Sequence, residues 1–139
     1  MSIQLSEALE FLSKFLDVVM NSGTAKEQAD FFNHAHPRTH FMRSGETVSM
    51  EQQHQAHQDL SDETFEFGDF EITTLSDSPE RARIIGTLLW EATMCSSNER
   101  IKAVVEDDLI LERGEDGKLK FVFFGINGMH MLSGASNLT

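Results

Sequence analysis

Asp107 is the residue whose setting most strongly suggests chemistry. Along IKAVVEDDLILE, Ile101, Ala103, Val105, Leu109 and Leu111 recur at every second position with Asp107 among them, while Lys102, Glu106, Asp108 and Glu112 fill the alternate positions. In a regular strand this period places Asp107 on the apolar face. A carboxyl group removed from water resists ionisation, and while it holds its proton it can donate a hydrogen bond or act as a general acid. The competing reading is a bulge at Glu106-Asp107-Asp108 that turns both carboxylates to water, because one extra residue reverses every side chain after it.

Histidine is the second candidate, since imidazole carries protons near neutral pH. Of the six histidines, His34, His36, His40, His54 and His57 lie between positions 34 and 57. His40 and Met42 share one face of a short strand, with Phe41 and Arg43 on the other. His54 and His57 lie one helical turn apart, within reach of one metal ion if both face inward, but no third well-spaced ligand can be named and no metal site is expected. The neighbouring Gln52, Gln53, Gln55 and Gln58 favour a solvated helix with exposed histidines. His36-Pro37 reads as a helix stop. Trp90, the single tryptophan of a chain without tyrosine, is either core or the wall of an apolar ligand site together with Met94 and the phenylalanines. His130 lies in Gly128-Met129-His130-Met131, beyond the expected end of the last strand, at a cavity mouth or in a frayed end.

The elements that must position these residues change character near Thr64. Before it, Leu5, Leu9, Leu12, Phe15, Leu16 and Val19 mark a helix from Ser6 to Met20, stopped by Asn21-Ser22-Gly23. Thr24 and Glu27 form a capping box for a second helix running to His36, with Ala25, Ala29 and Phe32 on its apolar side. Thr39 to Ser49 reads as a hairpin turning at Ser44-Gly45-Glu46, and Ser49 with Gln52 caps a third helix ending near Leu60. After Thr64 the period is two. Phe65, Phe67, Phe70 and Ile72 form a strand whose phase is reset by a bulge at Gly68-Asp69. Arg83 to Met94, Ile101 to Arg113 and Lys118 to Ile126 follow, separated by turns. In the last of them Phe121 and Phe123 alternate with Val122, Phe124 and Ile126, so both faces are apolar and both need cover. Helices supply it on one face, and a second subunit is expected on the other, giving a homodimer through the sheet.

The 139 residues predict one domain over 1–133 and a disordered tail over 134–139. With 23 acidic against 11 basic residues, the formal charge of −12 argues against nucleic acid and anionic membrane as partners. One cysteine, Cys95, allows no internal disulfide, and no long apolar run is visible. Glu7 and Glu10 interrupt any signal-peptide stretch, so a cytoplasmic protein is expected.

The segments HPRTHFMRSGETVSMEQQHQ and VVEDDLILERGEDGKLKFVFFGIN give the chain its likeness. The layout, from about Leu5 to Met131, resembles the nuclear transport factor 2-like superfamily, which includes ketosteroid isomerases, scytalone dehydratases and SnoaL-like polyketide cyclases. The resemblance implies an α+β cone of the cystatin-like type, with three N-terminal helices packed in a strongly curved mixed or antiparallel sheet. It also implies that Asp107 stands where the isomerases hold an oxyanion, and that Met42 stands near the place of their catalytic base. Methionine cannot take a proton, which leaves His40 as the nearby substitute; the isomerases' oxyanion tyrosine has no counterpart. The resemblance further implies that His40, His57 and Asp107 could stand in for the histidines and aspartate of the scytalone dehydratases.

The expected function is cofactor-free proton transfer (isomerisation, dehydration or cyclisation) on a small apolar carbonyl compound. His40 is the expected base, Asp107 the hydrogen-bonding acid and His57 an auxiliary proton carrier. Met42, Trp90, Met94 and Phe123 are the expected ligand contacts. The alternative is a non-catalytic ligand carrier or association module. An approach of His40 to Asp107 across an enclosed cavity is the geometry that would favour the enzyme.

Overall fold

In the computed structural model, which describes residues 2–132, helix α1 spans Leu5–Met20, α2 Ala25–Ala29 and α3 Met50–His57. Strands β1 (Arg38–Phe41), β2 (Thr47–Ser49), β3 (Leu60–Asp77), β4 (Glu80–Met94), β5 (Glu99–Arg113) and β6 (Leu119–Met131) form one sheet in the order β2-β1-β6-β5-β4-β3. All neighbours are antiparallel except β1 and β6, so the sheet is mixed, and it stays open at β2 and β3. It curves around α1, giving the α+β cone. Among the described residues no helix is long and apolar enough to cross a membrane. The tail expected over 134–139 lies outside the described residues.

Local chemistry accounts for the helix starts. Thr24 and Ser49 each accept a hydrogen bond at 3.1 Å from the backbone N–H three residues on, and their own backbone N–H groups donate to the side-chain oxygens of Glu27 and Gln52. The second helix is shorter than its apolar spacing predicts, ending at Ala29 rather than His36. The reason is aromatic packing. Phe31 and Phe32 leave the helix to pack against Phe11, Phe15, Phe121 and Phe124, with ring centroids 4.9–6.4 Å apart across the cluster. There the backbone of Phe31 and Asn33 bonds to Phe121 in β6. Burying a phenylalanine stabilises by about 1.5–3 kcal/mol, more than the few hydrogen bonds a marginal helical turn adds.

Three irregularities set which side chains face inward. Gly68-Asp69 bulges opposite Thr87, keeping Phe65, Phe67, Phe70 and Ile72 on the concave face as the spacing predicts. A second bulge, at Asp62-Glu63, lies just before the expected strand start; Asp62 takes φ +49° and Glu63 turns inward opposite Ala92. The third irregularity belongs to β6, which holds an extra residue at Val122 and again at Asn127. Phe121 and Phe124 therefore share the concave face, and Phe123 points to the convex one, not to the face it shares with Phe121 in a regular strand. Across β4, β5 runs without a break from Arg81↔Glu112 to Met94↔Glu99. His130 lies inside β6 rather than beyond it, its Nε2 at 2.6 Å from Glu106.

The core forms two clusters. One, around Phe15, Leu12, Ile84, Leu109, Leu111 and Phe121, packs α1 against the sheet. The other, around Leu88, Trp90, Ala92, Ile101, Ala103 and Val105, lines the adjoining stretch of β4 and β5.

Candidate functional site

Between the two clusters lies a cavity of about 850 Å3. Phe15, Leu16, Val19 and Met20 of α1 form its roof, and Leu88, Trp90, Val105, Phe124 and Ile126 form its floor. Its polar groups are few: Gln53 and His57 from α3, Asp107 from the floor, and Ser44, Glu46 and Asp59 near the mouth.

Asp107 sits opposite Gly86 on β4 and Ile126 on β6. Gly86 carries no side chain for a specific reason: a Cβ there would collide with the Phe70 ring and the Asp69 carbonyl folded over it at the bulge. The Asp107 side chain is 2% exposed, and its Oδ2 has no hydrogen-bond partner among the described residues. Burial pushes its carboxyl up to about 8. Asp108, one residue on, faces the other way. Arg83 donates to it through two nitrogens at 2.8 and 2.5 Å, and that pairing holds its carboxyl below the usual range. The bulge that would have hydrated Asp107 is present at this level of the sheet, but it is on β6. The extra residue, Asn127, deflects β6 and leaves the alternation of β5 intact.

His57 projects from the last turn of α3 into the cavity. Its Nδ1 lies 2.8 Å from the carboxylate of Glu63, whose side chain is 1% exposed. The indole N–H of Trp90 donates to Glu63 Oε1 at 3.0 Å. A carboxylate only accepts, so Nδ1 carries the ring proton in this bond, leaving Nε2 with its lone pair free when the ring is neutral. This is the arrangement a general base requires: an imidazole of fixed tautomer and fixed orientation. Trp90 is therefore both a cavity wall and a donor that positions Glu63.

Beside it runs a chain of amides. Thr39 donates to Gln53 at 2.9 Å, Gln53 to Gln28 at 2.9 Å, and the fully buried Gln28 to the Gly23 carbonyl at 3.0 Å. His54 Nδ1 donates to the same carbonyl at 2.8 Å. His54 and His57 thus reach different partners and do not converge on one point.

Of the residues expected to form the site, Asp107, His57, Trp90 and Met94 line this one cavity. His40, Met42 and Phe123 do not. In β1 it is Thr39 that is buried, 1% exposed and bonded to Gln53, which places His40 on the convex face stacked on Phe123 at 4.9 Å. Met42 lies past the end of β1 and is 50% exposed. The expected approach of His40 to Asp107 is therefore absent: the sheet separates them. Glu63 goes unnoticed in the sequence because the expected strand starts at Thr64, one residue later. The signal was present in the sequence, since Glu63, Phe65 and Phe67 form an unbroken period of two.

No protein-family model matches the sequence, and no curated protein matches it. Solved structures do match in shape. Hexachlorocyclohexane dehydrochlorinase LinA-type3 from Novosphingobium barchaimii superposes with a TM-score of 0.64 at 15% identity, over 96% of this chain and 94% of that one. An NTF2-like protein from Cytophaga hutchinsonii gives 0.57 at 15% identity, over 91% and 98%. ActVI-ORFA from Streptomyces coelicolor gives 0.56 at 17% identity, over 88% and 94%. The chain thus has the nuclear transport factor 2-like fold, an α+β cone of the kind these proteins share. At such identities the likeness defines architecture alone.

Proposed function

We propose that the cone binds a small apolar carbonyl compound and catalyses proton transfer on it without a cofactor. The observation that carries this reading is that a Glu63-held histidine and a buried, unpaired carboxyl face one apolar cavity. His57 Nε2 would take a proton from carbon, and the electron pair released would move onto the carbonyl oxygen. Asp107, protonated, would donate a hydrogen bond to that oxygen as its charge develops. Return of the proton at another carbon isomerises the compound, and departure of a β-substituent with its electrons completes an elimination. One structural neighbour is named a dehydrochlorinase, which supports the reading only through the shared fold.

The test uses a substrate that reports carbon deprotonation directly. In nitrobenzisoxazole a base takes the ring C–H proton, the N–O bond breaks, and a coloured phenolate is released. The protein should accelerate this ring opening. His57→Gln, which keeps a donor to Glu63, should lower the rate by about a hundredfold or more, with an unchanged circular dichroism spectrum. An equal rate in the folded variant would remove His57 from the chemistry and leave a binding protein.

A homodimer through the convex face is part of this proposal. Ile85 is 42% exposed there, beside the half-buried cross-strand pairs Leu89–Val104 and Ile110–Phe123. Light scattering should give twice the chain mass, and Ile85→Arg should give one chain mass with the fold retained. A wild-type monomer at high concentration would refute the dimer.

A further inference from the structure

The groups that line the cavity are unbalanced in charge. The titratable ones are Glu46, Asp59, Asp107 and His57, and behind His57 stands the buried Glu63. Among the described residues that line it, none is a lysine or arginine. The undescribed residues 133–139 contain no basic side chain either. We infer that the cavity admits uncharged and basic apolar molecules and turns anions away, so that its natural ligand carries no carboxylate, phosphate or sulfate. This deepens the proposed function and rests on the cavity being a ligand site.

The physical argument is one of desolvation without compensation. An anion that leaves water for a site walled by Phe15, Leu88, Trp90 and Ile126 loses its hydration, and that loss is tolerable only where a cation or several N–H donors replace it. Among the described residues that line the cavity, the buried side chain with an unsatisfied polar atom is Asp107, an acid. Ionised, it repels an anion; protonated, it offers a single donor. The Nδ1–H of His57 is already engaged as a donor to Glu63. Even a protonated His57 would form a neutral pair with Glu63, leaving no net positive charge for a ligand. At the mouth, Glu46 and Asp59 add the same sign, and the chain as a whole carries −12. A neutral carbonyl compound meets none of these penalties and gains the Asp107 hydrogen bond. A basic molecule gains a counter-charge when the same carboxyl gives up its proton, and a cation–π contact from Trp90.

Trp90 is the only tryptophan and lies in the cavity wall, so its fluorescence reports occupancy without a label. The probes are three compounds on one apolar cage: adamantane carboxamide, adamantane methylammonium and adamantane carboxylate. With the intact chain at neutral pH, the amide and the ammonium should change the Trp90 emission saturably, and the carboxylate should bind about tenfold weaker or less. The discrimination should persist at about 1 M salt, where the general field of the chain is screened within about 3 Å. Carboxylate binding equal to the amide would overturn the charge selection and leave the ligand site standing. So would discrimination that vanishes in high salt, since it would then belong to net charge and not to the lining. Silence from all three probes would overturn the ligand site and this inference together.

Discussion

Replacing Asp107 by asparagine is expected to reverse the order of stability of variant and wild type between acidic and alkaline pH. The Asp107 carboxyl titrates at about 8 in the folded protein against 3.8 ordinarily, and the cause is burial alone. Below about pH 4 both folded and unfolded chains hold the proton, and the group contributes no pH dependence. As pH rises from about 4 to about 8 the unfolded chain releases a proton that the folded one retains, so stability declines by about 1.4 kcal/mol per pH unit. Above about 8 the folded state ionises as well and the loss is complete. The full loss is of the order of 5 kcal/mol, comparable with the whole stability of a domain this size.

Asparagine cannot ionise, so this penalty is absent in the variant. Its amide instead brings two donors into an apolar wall, at a cost of about 1–3 kcal/mol that does not depend on pH. Wild type should therefore melt higher at about pH 5 and the variant higher at about pH 9, with a gap there of roughly 10 °C. Every other titrating group is common to both proteins and cancels in the difference. Melting curves that stay parallel from acid to base would show that Asp107 is hydrated, and the donor role assigned to it would fail with that result.

Asp107 was legible in the sequence because β5 pairs with β4 over fourteen residues without a bulge, so a period of two maps directly onto a face. The same rule failed one strand away. Phe121 and Phe123 keep the period in β6, yet the extra residue at Val122 puts them on opposite faces, and no residue type there announces it. Gly68 did announce the bulge in β3. In β1 the phase was inverted for a different reason. His40 reads as a candidate for the interior, but Thr39 is the buried residue, its hydroxyl satisfied by Gln53, which is tied in turn to Gln28. Buried polar groups that satisfy one another carry no hydropathy signal, because the partners come from α2, α3 and β1 and meet only in the fold. Glu63 belongs to the same class. The glutamine content of α3 favours a mostly solvated helix, although Gln53 and His57 turn inward from it.

The Glu63–His57–Trp90 set makes the second strong prediction, and its sign depends on which atoms are donors. Glu63→Gln replaces one carboxylate oxygen by an amide N–H2 and leaves one acceptor where there were two. Trp90 can only donate, so its N–H at 3.0 Å claims the remaining amide oxygen and turns the N–H2 toward His57. His57 Nδ1 must then accept, which moves the ring proton to Nε2, the atom needed to receive a proton from substrate. Wrong-tautomer substitutions of this kind lower turnover by factors on the order of a thousand to ten thousand. Glu63→Gln should therefore cut kcat on nitrobenzisoxazole by about a thousandfold, while KM stays near the wild-type value because the cavity wall is untouched. A second change discriminates positioning from mere damage. Trp90→Phe removes the donor that fixes the introduced amide, which is then free to rotate its oxygen toward His57 and restore the productive tautomer. The double variant should recover about tenfold or more over Glu63→Gln alone, although Trp90→Phe by itself lowers activity by removing the indole donor that positions Glu63. Nitrogen NMR of the His57 ring should follow the same order, with the proton on Nδ1 in wild type, on Nε2 in the Glu63→Gln variant and back on Nδ1 in the double. A ring proton that stays on Nδ1 in all three, or a double variant slower than either single one, would show that Glu63 holds up the α3 end without governing the state of His57.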